Sequence, residues 1–254
     1  MFYDKFFRIK SYILYICLFC IITAFFLLLY FAFLKSSMIM VTRKICIADF
    51  INFLSNGNYF MNIMLIPLCT VFTTTLSEHN CLTLNYYIRN KSRTNIILKK
   101  IKKILFFSVV ITLLILLISI IVAGFLTAEL INWNRYESYF YMSNGILIDI
   151  DFIKVLLLSF VKLVFPISFF SLLACTISLI CKKTFSFLII VLASASNFFG
   201  FIKFIIDDYF GYNFNETGNM SFSSAVLVFV IFSLATLIVI FFAVRLARRK
   251  DFLN

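Results

Sequence analysis

The chain has 254 residues, of which 63% are hydrophobic and 13% charged, and its formal net charge is +12. Soluble domains are about half apolar and a quarter charged, so an ordinary soluble fold is excluded. The basic surplus does not read as a nucleic-acid surface, because it is sorted along the chain between the two sides of a membrane.

Taken in chain order, the first ten residues interleave Phe and Tyr with Lys5, Arg8 and Lys10. Such a segment suits the headgroup region, and it suits a frayed basic tail equally. Six apolar blocks follow, at residues 12–34, 59–76, 104–127, 152–180, 185–206 and 222–244. A bilayer core about 30 Å thick needs roughly 20 apolar residues per helix. The blocks therefore predict an all-α integral membrane protein with six transmembrane helices and no separate soluble domain. The first block is too long for a signal sequence, and no small-residue cleavage site follows it.

The connections differ in kind. Residues 35–58 and 128–151 are moderately long and polar, and Cys181-Lys-Lys-Thr184 is a tight turn. Ser194-Ala-Ser-Asn-Phe-Phe-Gly200 interrupts the fifth block with small and polar residues, which permits a re-entrant segment before span 6. With the N-terminus inside, sixteen of the 23 basic residues fall on the inner side, and eight of the eleven acidic residues fall outside. That is the positive-inside pattern. It places both termini in the cytoplasm. The seven cysteines form no disulfide framework; Cys17 and Cys20 are a CxxC by spacing, but within a membrane helix they read as packing.

Chemistry of several kinds is missing. The six glycines are too scattered for a phosphate-cradling loop, and His79 is the sole histidine, so no histidine metal cluster can form. The carboxylates are scattered over loops, with none near the middle of a block. A gradient-driven carrier often places carboxylates there. Work done by this chain is therefore expected to draw on a partner, with no catalytic residue, metal or cofactor of its own.

The informative stretch is residues 77–103, between the second and third blocks. Leu84, Tyr87, Ile88 and Lys91 recur at helical spacing, a polar break runs from Asn90 to Thr94, and a basic run of Lys99, Lys100, Lys102 and Lys103 leads into the third block. Lysines so placed sit at the anionic inner leaflet. Glu78, Leu84, Tyr87, Arg89, Ser92 and Lys99 stand in the order seen in the coupling-helix region of ABC-2 type permeases. The chain resembles that family over nearly its whole length. The glycine usual after the acidic residue is absent, and Cys81-Leu82-Thr83 stands in its place.

The resemblance implies a cytoplasmic coupling helix between spans 2 and 3. It assigns ATPase coupling to Glu78, Leu84, Tyr87, Arg89, Ser92 and Arg93. It implies a partner ATPase that binds ATP and Mg, and a second permease subunit, the same or homologous. Short Phe- and Ile-rich members are similar to the permeases of lantibiotic-immunity systems and of phenol-soluble-modulin exporters. That likeness implies export of amphipathic or antimicrobial peptides from a bacterial plasma membrane, for secretion or self-immunity. The alternatives are a lipid or polysaccharide exporter of the same family, and a membrane-embedded scaffold, sensor or enzyme without transport.

Two lysines fall inside apolar blocks. Lys203, near the outer end of the fifth, reads as snorkelling to the headgroups. Lys162 lies about ten residues into the fourth block, four before Pro166. It reads either as a snorkelling residue or as a substrate-path residue facing a wet cavity that takes an acidic group.

Overall fold

The structure is a computed structural model that describes residues 2–39, 44–56, 61–78, 93–198 and 222–249. The described residues form α1 (Phe2–Ile39), α2 (Ile47–Asn56), a π-helical turn (Met61–Leu65) that runs into α3 (Ile66–Glu78), α4 (Arg93–Leu126), α5 (Tyr139–Asn144), α6 (Phe152–Ile177), α7 (Lys183–Phe198) and α8 (Phe222–Arg249). No strand occurs among them. Within α1, α4 and α6, the segments Tyr12–Ser36, Thr94–Leu126 and Phe152–Ile177 are long and apolar enough to cross a membrane. The chain is an all-helical membrane protein.

Helix α6 is the hub. It packs against α2, α3, α4, α7 and α8. Its inward face carries Val155, Ser159, Lys162, Leu163, Pro166, Ile167, Phe170, Ser171 and Ala174 at helical spacing. Helix α1 lies at the edge. It buries one narrow stripe, Phe19, Thr23, Leu27 and Phe31, four residues apart, while Leu14, Ile21, Phe25 and Phe33 are exposed. In a bilayer those exposed side chains meet lipid tails, so apolar exposure there carries no penalty. Phe106, Phe125, Phe241 and Phe242 are exposed in the same way, which accounts for part of the phenylalanine excess.

Helix directions follow from contacts between side chains. Tyr12 stacks on Phe107, and Lys35 Nζ donates to the Leu126 carbonyl at 2.6 Å, so α1 and α4 run parallel. Phe19 meets Phe72 edge-on, while Thr23 and Phe26, further along α1, line a pocket with Met64, Leu65 and Leu68, earlier in the chain than Phe72. Helix α3 therefore runs back along α1. Lys35 sits at the carbonyl end of α4, where a cation meets unsatisfied C=O groups and the negative pole of the helix.

Buried hydroxyls bind the interior together. Thr73, Thr74, Ser108, Thr112, Ser119 and Thr176 each donate to a carbonyl four residues earlier, at 2.6 to 2.9 Å. Without water to help, each polar group must find such a partner, and small hydroxyl residues also let helices approach closely.

The polar connection 35–58 departs most from its sequence reading. Helix α1 continues to Ile39, and α2 folds as an amphipathic helix within the connection. Ile47, Phe50, Ile51 and Leu54 form its buried face. The expected re-entrant segment before span 6 lies outside the described residues from position 199 onward.

Candidate functional site

Three places concentrate polar or charged groups. The first is the end of the bundle where α3 finishes and α4 begins. Glu78 is the last residue of α3, and Arg93 the first of α4. Both lie toward the end opposite Lys35, given the helix directions above. Leu84, Tyr87, Arg89 and Ser92 lie outside the described residues, which hold only the two predicted coupling residues that flank them. It does describe the helix that follows. Ile97, Ile101 and Ile104 form a ridge on α4, buried against Leu172, Cys175, Leu179, Ala243 and Ala247. Lys99 and Lys102 occupy the exposed face. The basic run is thus one side of a packed helix, and its charge faces the surroundings of the bundle.

The second place is Lys162, 2% exposed on the inward face of α6. It is enclosed by the bundle and does not reach the lipid face as a snorkelling lysine would. One turn away, Ser159 Oγ lies 3.4 Å from Ser55 Oγ on α2. Helix α2 therefore sits against the same stretch of the hub. A charged residue at depth costs about 2.5–3.5 kcal/mol on insertion scales, and such residues line cavities or pathways more often than lipid.

The third place was not foreseen from the sequence. Connections 44–56 and 127–151 fold together into a cap. Asp49 is 2% exposed. Its Oδ1 accepts from Trp133 Nε1 at 2.7 Å, and its Oδ2 accepts from the Cys46 backbone N–H at 2.9 Å and from the Cys46 thiol at 3.2 Å. A carboxylate at the third helical position that reaches back to the N-cap N–H is one half of a capping box. The next free donors of α2, Ile47 N–H and Ala48 N–H, go to the carbonyls of Glu129 and Leu130 at 2.9 and 3.0 Å. Trp133 also stacks on Phe140, with centroids 4.1 Å apart.

A short ladder closes the cap. Lys44 N–H donates to Glu137 O and Tyr139 N–H donates to Lys44 O, at 3.0 and 3.1 Å. The Lys44–Glu137 ion pair beside it, at 2.9 Å, is exposed on both sides, so salt screens it. Helix α5 starts on the Ser138 hydroxyl and stops at Gly145, whose φ of 71° suits a residue without Cβ.

Burial pushes the Asp49 carboxyl up from its ordinary range, against the pull of its hydrogen bonds to Cys46 and Trp133. Burial and the nearby Asp49 charge push the Cys46 thiol up as well. A thiol so held is a poor nucleophile. All six described cysteines are free. Among the described residues no group of His, Cys, Asp and Glu could hold a metal ion.

Fold and polar sites together define an integral membrane protein built as a helical bundle with a folded cap at one end and a basic helix at the other. No family model, curated protein or solved structure matches the chain.

Proposed function

We propose that the chain is the membrane-spanning subunit of an ATP-driven exporter that moves amphipathic peptides out of the cell or its membrane. In this reading six helices span a bacterial plasma membrane, and the described helices α1, α3, α4, α6, α7 and α8 supply them. Both termini are cytoplasmic, and the cap lies outside. The chain pairs with a second permease subunit, and each is docked to an ATPase through residues 78–93. ATP-driven closure of the ATPases rocks the two permeases between inward and outward states.

The observation that carries the reading is the ordered set from Glu78 to Lys99, with the resemblance it bears to a coupling region. The placement of Glu78 and Arg93 toward one end of the bundle, next to the exposed lysines of α4, agrees with a docking loop there. A peptide cargo suits the rest. Among the described residues none forms a separate soluble domain that could recognise a folded cargo, and the exposed helix walls are apolar, so a heavily charged sugar phosphate would meet a large desolvation cost. An amphipathic peptide already partitions to the interface. A lipid could enter by the same sideways route, which keeps lipid or polysaccharide export as the second reading.

The test is deletion and complementation, followed by growth with added amphipathic peptides and mass spectrometry of the medium. The exporter reading predicts raised sensitivity and lost peptide secretion. Wild-type behaviour on both, together with altered envelope lipid or glycan, would move the assignment to the second reading.

A further inference from the structure

Helices α4 and α8 meet at one end of the bundle. They pack directly, and Ala243 and Ala247 of α8 share a buried cluster with Ile97, Ile101 and Ile104 of α4. The last turns of α8 therefore lie beside the first turns of α4. Away from that contact each helix carries a stripe of exposed residues. On α4 the stripe runs Lys99, Lys102, Phe106, Val109 and Leu113; on α8 it runs back through Arg248, Arg245, Phe241, Ile238 and Leu234. Steps of three and four residues keep the members of a stripe on one helix face. The apolar members meet lipid tails. The two cations that end each stripe look the same way, sideways out of the bundle.

Depth places these cations among headgroups. The Lys35 ammonium, held against the Leu126 carbonyl, marks the far edge of the apolar core on α4. From Leu126 back to Lys102 is about 36 Å along the helix axis, and to Lys99 about 40 Å, at 1.5 Å per residue. An apolar core is about 30 Å thick, and a bilayer with its headgroups about 40–45 Å. Both lysines fall in the headgroup layer, and Arg245, between Ala243 and Ala247, reaches the same level through the shared cluster. The charges are also spaced for a phosphate. Like charges one turn apart repel, and neither α4 nor α8 carries an acidic residue along its length. A phosphate lying against both members of a pair offsets that repulsion, and arginine forks suit its oxygens.

We propose that Lys99 with Lys102, and Arg245 with Arg248, are two binding sites for the headgroup phosphate of an anionic phospholipid. Two observations choose a lipid over a protein partner. The faces that carry the cations continue as lipid-facing apolar surface, and the cations stand within headgroup depth. The loop at 78–93, at the end of the bundle, is left to the docking assigned to it above. The proposal asks only that α4 and α8 cross the bilayer, so it is independent of the cargo and of the exporter reading.

The experiment uses the full chain in phosphatidylcholine bilayers with a trace of chain-labelled, spin-labelled phosphatidylglycerol or phosphatidylcholine. Electron paramagnetic resonance reads the lipid immobilised against the protein. Phosphatidylglycerol is expected to associate about three- to tenfold more strongly than phosphatidylcholine, the attraction of a few interfacial cations for an anionic lipid. Lys99→Gln with Lys102→Gln, and Arg245→Gln with Arg248→Gln, should each remove part of that preference. All four together should bring the ratio close to one, with unchanged elution on size exclusion. Lys154→Gln, an exposed lysine at the cap end, should keep the ratio of the parent. The proposal is overturned if the parent shows no preference, or if the quadruple variant keeps it. It is equally overturned if Lys154→Gln lowers the ratio as far as the quadruple variant does, since net charge alone would then account for it. A quadruple variant that keeps the lipid preference but no longer copurifies with an ATPase would give the four cations to a protein contact instead.

Discussion

At the end that holds α2, hydrogen bonds from two distant connections converge on the buried Asp49 carboxylate. At the end where α4 begins, the packing is a ridge of isoleucines, and lysines occupy the outer face. The cap holds its buried carboxylate by internal hydrogen bonds from Cys46 and Trp133, while Asn132 Oδ1 stays buried without a partner. The basic end has the opposite character, with charge held outward on a rigid helix. The difference is between an end whose charge is hydrogen-bonded within the fold and an end whose charge is held outward on a packed helix.

The comparison is broken most forcefully at Trp133, the only tryptophan of the chain. Trp133→Ala removes a ring that is 1% exposed and is expected to destabilise the cap by about 3–5 kcal/mol. Limited proteolysis should then cut within 128–151 while leaving α4 and α6 intact. Trp133→Phe keeps much of the packing but leaves an oxygen of Asp49 without its donor, which costs about 1–3 kcal/mol. If neither variant becomes more cleavable than the parent, the cap does not depend on the Asp49 node.

A smaller effect follows from pH. The native state holds the Asp49 proton more tightly than the unfolded chain, whose carboxyl titrates near about 3.9. The contribution is full below that value and is lost as pH rises through the native pKa. The Cys46 thiol and the Tyr139 hydroxyl, both pushed up by burial and the Asp49 charge, stay protonated through this window. Cap unfolding followed by Trp133 fluorescence should therefore shift to higher denaturant as pH falls from 7 toward 4. Asp49→Asn should flatten that shift, and the difference between the two proteins separates Asp49 from Glu129 and Glu137.

The smallest effect belongs to Lys35. Lys35→Met removes a donor from the last turn of α4 and should cost about 0.3–1 kcal/mol of stability in detergent. A larger loss would mean that this end of the bundle relies on the α1–α4 contact more than on the cap.

Much of this was legible in the sequence where one residue's neighbours decide its state. The blocks at 12–34, 104–127 and 152–180 carry their own hydropathy and emerge as the long apolar helices. Helix α2 was legible too, since Ile47, Phe50, Ile51 and Leu54 recur at helical spacing. Its polar setting made the region read as a loop. The Asp49–Trp133 bond joins residues 84 positions apart, so no local pattern signals it. The apolar pocket that Thr23 and Phe26 of α1 share with Leu68 and Val71 likewise depends on which turn of α3 lies opposite. The burial of Lys162 depends on which helices pack against the inward face of α6, which sequence spacing does not encode.

The central claim is that the basic end docks an ATPase. The direct test expresses the tagged chain with its genomic neighbours and measures the ATPase that copurifies with it. Arg89→Glu combined with Arg93→Glu is the disrupting variant, with membrane insertion as the control. The account predicts an ATPase subunit with the parent and at least a tenfold lower yield with the variant, because docking depends on a few anchored side chains. Equal recovery from both, or no ATPase with the parent, would contradict it.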